Sequence, residues 1–159
     1  MAEKIVGQLV VKPNWTFAVV VAEFNEFITT RLAGSAVECI VRHGGKESQV
    51  TQVNVPGSFE IPTIATVLAK SGKFSAVICL GCVIRGQTGH YDQVVDGVSR
   101  GVAAIGPATG VPTIFGVITA DTIEQAVDRA GLKQGNVGWN AAASAIAMAS
   151  LMSQLKSEK

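Results

Sequence analysis

Four apolar runs, each followed by a segment with helical spacing, leave this chain few folds to choose from. The first run, 16–22 (TFAVVVA), is continuous and β-branched, the pattern of a strand covered on both faces. A helix over about 28–43 follows, with Ile28, Leu32, Ala36, Val37, Ile40 and Val41 at helical spacing and Gly44-Gly45 to stop it. The second unit is a strand over 49–55, a turn at 56–58 and a helix over 60–71, whose first turn is the only part of it that admits Pro62. The third is a strand over 75–83, a turn at 84–89 and a helix from His90 to about Ile105. The fourth is a strand over 111–118 and a helix ending at Ala130, its start marked by Asp121 and Glu124 at capping-box spacing. After the turn LKQGNVG, an alanine-rich helix over 139–155 closes the chain.

Strand–helix units joined by short turns predict a three-layer α/β/α sandwich around a four-stranded parallel sheet. Residues 4–11 (KIVGQLVV), separated by Pro13, read as an extra strand arm that pairs with an edge here or on a neighbour. The expected organisation is one domain over 1–159, with 1–14 as arm and 15–159 as core.

Composition narrows the partners. Lys+Arg 13 against Asp+Glu 12 leaves a formal charge of +1, which provides no field for nucleic acid or a membrane surface. Only 16% of residues are charged, so much of the surface is neutral, as suits burial in an oligomer. Every apolar run is too short to span a membrane, and MAEKIVGQLV lacks the features of a signal peptide. Cys39, Cys79 and Cys82 form an odd set that fits a reducing compartment. A soluble, cytoplasmic protein is expected.

Parallel sheets bind ligands at the carboxyl ends of their strands, which selects the turns at 23–27, 56–60, 83–90 and 115–121. The third of these carries GCVIRGQT (81–88), a P-loop pattern with Gln87 where the phosphate-binding lysine would stand. That excludes a nucleoside triphosphatase. The amides of Gln87 and Thr88 and the Thr88 hydroxyl can still hold a single phosphate, or form a capped turn with no ligand; spacing leaves both open. Cys79 and Cys82 mimic a C-x-x-C motif, but three residues apart on a strand they point to opposite faces and cannot share a metal or a disulfide. His43, in the last turn of a helix, has a structural role. His90, at a helix start near Arg85, is a candidate for accepting and returning a proton as neutral imidazole. Phe24, Phe59 and Phe115 fall at strand ends, where they either stack on a flat heterocycle or pack the rim of the sheet. Glu60 either caps a helix or binds substrate. Arg129 is either a surface arginine near a helix end or a bidentate phosphate ligand.

The motifs FNEFIT (24–29), VPGSFEIP (55–62), GCVIRGQTGHYD (81–92), PTIFGVIT (112–119) and DRAG (128–131) resemble, in order and spacing, the 6,7-dimethyl-8-ribityllumazine synthases over nearly the whole chain. The resemblance implies a flavodoxin-like fold and a transferase of the penultimate step of riboflavin biosynthesis. In that step 5-amino-6-(D-ribitylamino)uracil condenses with 3,4-dihydroxy-2-butanone 4-phosphate, releasing phosphate and water. It also implies residue roles. Phe24 stacks on the pyrimidine; Ser58, Phe59 and Glu60 bind the ribityl chain and ring edge; Cys82, Val83 and Ile84 offer backbone contacts. Gln87, Thr88 and Arg129 hold the phosphate, His90 transfers protons, and Phe115 is contributed by a neighbouring subunit. Asn25, Arg85 and Lys133 are further candidates. Lys133 enters because Val137 stands where many relatives carry lysine, and Gly89 replaces a common Thr or Pro. No metal or organic cofactor is implied. The implied assembly is a homopentamer, with twelve pentamers closing into a sixty-subunit shell and riboflavin synthase as a candidate partner.

Two readings from other classes use the same residues. A flavin- or lumazine-binding module would bind tightly without turnover, and a structural shell protein would co-purify with cargo.

Overall fold

The computed structural model describes residues 1–133 and 135–157. Strand β1 (Phe17–Ala22) leads into helix α1 (Glu26–Arg42), and β2 (Val50–Val55) leads through a 3₁₀ turn at Ser58–Glu60 into α2 (Ile61–Lys70). Then β3 (Ala76–Ile84) precedes α3 (His90–Thr109), β4 (Thr113–Ala120) precedes α4 (Ile123–Arg129), and α5 (Val137–Ser157) comes last. The sheet has the order β2-β1-β3-β4, every pair parallel, as a flavodoxin-like sandwich requires.

β1 explains its own composition. Phe17, Val19 and Val21 enter a cluster with α1 and α5, while Ala18, Val20 and Ala22 enter a second cluster with α2 and α3. Both faces are dry, so no polar residue interrupts the run. β3 divides the same way: Cys82 lies in the first cluster and Cys79 in the second, the opposed placement that the strand spacing requires.

Backbones approach closely in the α1/α5 layer. A Cβ on Gly138 would collide with the backbone carbonyl of Leu32, so glycine is needed where α5 crosses α1.

Several expectations need correction. Residues 4–11 form no strand within this chain. They lie along α5 instead, where the Gln8 amide donates to Ser150 Oγ at 3.0 Å and Gln154 Nε2 donates to the Val6 carbonyl at 2.9 Å. Helix α5 begins at Val137 rather than Trp139, because the Asn136 side-chain oxygen accepts the amides of Gly138 and Trp139 and caps it. Helix α4 is capped by Thr122, whose hydroxyl accepts the Gln125 amide, and not by Asp121. Helix α3 runs past Ile105 to Thr109 with Pro107 inside it, and Gly110 ends it in the left-handed region at φ 71°. No helix among the described residues is long and apolar enough to cross a membrane.

Candidate active site

Strand order in the sheet reverses between β1 and β3, since β2 was added on one side of β1 and β3 on the other. Open α/β sheets bind ligands where their connections diverge in this way. A cavity of about 610 Å³ lies there. Three of the four turns expected at the carboxyl ends build it. Phe24 and Asn25 come from the end of β1, Ser58, Phe59 and Glu60 from the 3₁₀ turn after β2, and Cys82, Val83, Ile84 and Thr88 from β3 and its turn. His90 closes it from the first turn of α3.

Each wall has a local cause. Asn25 holds left-handed backbone (φ 63°, ψ 45°), which turns the chain sharply out of β1 and leaves Phe24 71% exposed at the mouth. Its side-chain Nδ2 donates to the Cys82 carbonyl at 2.8 Å, tying the ends of β1 and β3 together. Ser58 is buried against Gly81, where a Cβ would strike its hydroxyl. Phe59 remains 60% exposed, a large apolar surface facing open space. A Cβ on Gly57 would lie 3.2 Å from Glu60 Oε2, so that carboxylate folds back over its own turn. Thr88 Oγ1 accepts the His90 amide at 3.4 Å, a long contact inside the turn, and α3 itself has Gly89 at its N-cap with no side-chain cap.

Arg85 is turned away from this cavity. Its Nε donates to Asp121 Oδ1 at 2.9 Å, its guanidinium carbon stands 4.3 Å from the Tyr91 ring centroid, and Asp92 lies 3.6 Å away. The hydrogen bond to Asp121, with the field of both carboxylates, raises its pKa further. Gln87 is exposed on the turn and does not line the cavity.

Phe115, Arg129 and Lys133 also lie outside it. Phe115 is 43% exposed on β4, an edge strand. Arg129 ends α4, and its Nη1 donates to the Thr119 carbonyl at 3.0 Å. Lys133 is exposed in the turn that follows. A single chain therefore brings together the pyrimidine-side candidates with Thr88 and His90, and holds a second group on its β4 side.

The cavity also includes Tyr91, Gln93 and Val94, which the sequence reading missed. Gln93 and Val94 follow His90 by three and four residues, so a helix beginning at His90 carries them on the same face. Burial pushes the Cys82 thiol up to about 11 and the Cys79 thiol up to about 12, so both stay protonated at neutral pH.

A carboxylate, an imidazole, open aromatic faces and a turn at a helix N-terminus suit a flat, hydroxylated heterocycle beside a phosphorylated co-substrate. Residues 14–153 match the model of the family described as 6,7-dimethyl-8-ribityllumazine synthase, which is nearly the whole chain. That family consists of transferases of riboflavin biosynthesis.

Proposed function

The chain belongs to the 6,7-dimethyl-8-ribityllumazine synthase family, and from that premise we propose that its cavity condenses 5-amino-6-(D-ribitylamino)uracil with 3,4-dihydroxy-2-butanone 4-phosphate. The observation that carries this reading is the split of the candidate residues. Phe24, Ser58, Phe59, Glu60, Thr88 and His90 share one cavity, whereas Phe115 and Arg129 stand apart from it. The site is then composite: one chain supplies the cavity and an adjacent copy supplies Phe115 and Arg129.

In this site the pyrimidine stacks on Phe24. Glu60 and Ser58 bind the ribityl hydroxyls, and the backbone at Cys82, Val83 and Ile84 contacts the uracil edge. The 5-amino group attacks the ketone carbon and the resulting carbinolamine loses water to give an imine. A proton leaves C3 of the butanone chain as phosphate departs from C4. The enol left behind takes a proton at C4 and becomes a ketone at C3, and the ribitylamino nitrogen closes on that carbonyl with loss of water. His90 takes and returns these protons. Gln87, Thr88 and the neighbour's Arg129 hold the phosphate until it leaves. Orienting two substrates and stabilising a departing anion supply much of the acceleration.

Surface area supports an assembly. The chain exposes 8840 Å², against roughly 7,600 Å² for a monomer of this mass. Exposed Ile123, Leu132 and Val67 add apolar surface that a neighbour would cover. The proposed state is a pentamer, closed twelvefold into a shell, because the LKQGNVG turn is short as in shell-forming relatives. A cytoplasmic location and riboflavin synthase as cargo complete the reading. Sedimentation of the purified protein distinguishes pentamer from shell, and co-purification tests the cargo.

The decisive experiment follows lumazine absorbance on mixing the two substrates. Loss of roughly 100-fold or more in kcat is expected for His90→Ala. Full turnover by that variant would remove His90 from proton transfer, and flavin binding without any turnover by the native chain would favour the binding-module reading.

A further inference from the structure

Helix α3 carries glycines at 97 and 101, one turn apart, beside the stripe Val98, Val102 and Ile105 that packs on the sheet. Both face the segment running from the 3₁₀ turn into α2, but what they meet differs. A Cβ on Gly101 would lie 2.6 Å from both Cβ and Cγ of Pro62. Pro62 is held by its own ring and by the first turn of α2, so Gly101 fixes how closely two helices approach. A Cβ on Gly97 would lie 2.6 Å from Cε2 and 3.0 Å from Cδ2 of Phe59. That neighbour is the far end of a side chain that can rotate, and its ring is largely exposed on the cavity side.

We propose that Gly97 is a positioning residue for the heterocycle: the missing Cβ leaves a notch in α3 that seats the Phe59 ring and so sets one wall of the cavity. Gly97 itself does not line the cavity and acts only through that ring. Adding one methyl group forces the ring from 2.6 Å to at least the 3.4 Å of ordinary contact. It swings either into the space the ligand needs or out toward solvent, and both weaken contact with a flat ligand. Thr88, at the phosphate end, is not among the atoms that a Cβ on Gly97 would meet, which are all of Phe59. The loss therefore falls on one substrate. This inference rests on the reading of the cavity as the pyrimidine site.

The test is a double-mutant cycle of Gly97→Ala with Phe59→Ala, read both as KM for each substrate and as resistance to urea. Alanine favours a helix interior over glycine, so Gly97→Ala carries no intrinsic folding defect. Expected is a rise of about threefold to tenfold in KM for the ribitylaminouracil, the scale of a weakened aromatic contact. KM for the butanone phosphate should stay within about twofold, by the same scale. In the Phe59→Ala background the same Gly97→Ala change should leave both KM values unaltered and raise the urea midpoint, since only helix propensity remains.

A rise in pyrimidine KM of equal size in both backgrounds overturns the proposal, because the effect would then not pass through the ring. So does an unchanged KM in the native background. The urea arm needs no substrate. If the native protein makes no lumazine, the functional reading fails on its own, while the notch still stands or falls by whether Gly97→Ala raises the urea midpoint only after Phe59 is removed.

Discussion

Asn25, in left-handed backbone at the end of β1, donates its side-chain amide to the backbone carbonyl of Cys82 at 2.8 Å. It is the one non-glycine residue with positive φ among the described residues. Asparagine tolerates that conformation better than most, and the bond to β3 holds it there.

Two substitutions separate these contributions. Asn25→Gly keeps the backbone relaxed and loses only the hydrogen bond, a cost of about 1 kcal/mol. Asn25→Ala loses the bond and also strains the backbone, adding ~1–2 kcal/mol. Urea denaturation should therefore rank native above Gly above Ala. Ala equal to Gly would show that the turn relaxes out of the left-handed region.

Ser58 packs directly against Gly81 in the core of the site, leaving no room for a Cβ there. Gly81→Ala should cost about 1–3 kcal/mol through overpacking, or else drive Ser58 from its buried position. Thermal unfolding and the KM for the ribitylaminouracil together tell which. Loss of neither would mean that β3 shifts to accommodate the methyl group.

Arg85 joins the turn after β3 to Asp121 beyond β4 and to Tyr91 on α3. Exposed ion pairs add little stability, so the melting temperature of Arg85→Ala should stay within about 2 °C of native. The turn it braces carries Gln87 and Thr88, so KM for the phosphorylated substrate should rise severalfold while that for the pyrimidine holds. Unchanged kinetics would reduce Arg85 to surface decoration.

A composite site predicts complementation. His90→Ala and Arg129→Ala each disable one half of the site, and mixed assemblies refolded from equal amounts should recover roughly a quarter of native activity, because each half is intact with even odds. Variants that remain inactive when mixed would place both halves in one chain. Separately, Arg129→Ala should weaken the butanone phosphate far more than the pyrimidine, as seen in the two KM values.

The thiols give a pH dependence with a definite sign. Burial raises Cys39 and Cys82 from 9.0 to about 11, and Cys79 to about 12. The folded state holds these protons more tightly than the unfolded chain. Their contribution is complete below pH 9 and is lost as pH rises toward 11–12. The urea midpoint should fall between pH 8 and pH 10.5, less steeply in Cys79→Ala. An equal slope in that variant would assign the loss to other groups.

Most of this architecture was legible in the sequence for a simple reason: β1 and β3 are buried on both faces, so their apolar runs admit no other element. The Pro62 turn and the opposed cysteines followed from local geometry in the same way. What escaped depended on partners distant in sequence. No pattern in 4–11 announces that it will lie on α5, and Asn136 reads as a turn residue until its oxygen meets two amides. The strand-end rule selected four turns, of which three line the cavity and the one after β4 does not; that they meet where β1 and β3 diverge depends on the sheet order, which no single turn announces. The seating of Phe59 against Gly97 was not foreseen, since a glycine inside a helix carries no sign of the ring it accommodates.

Cys79 and Cys82 sit on opposite faces of one strand, each sealed beneath a different helical layer. The chain thus carries its own pair of clocks. A thiol reagent that labels only exposed sulfur would record when α2 and α3 lift from the sheet through Cys79, and when α1 and α5 do so through Cys82. With Cys39, the third buried thiol, replaced by alanine, the two labelling rates taken from one sample give the order in which the layers of the sandwich come apart.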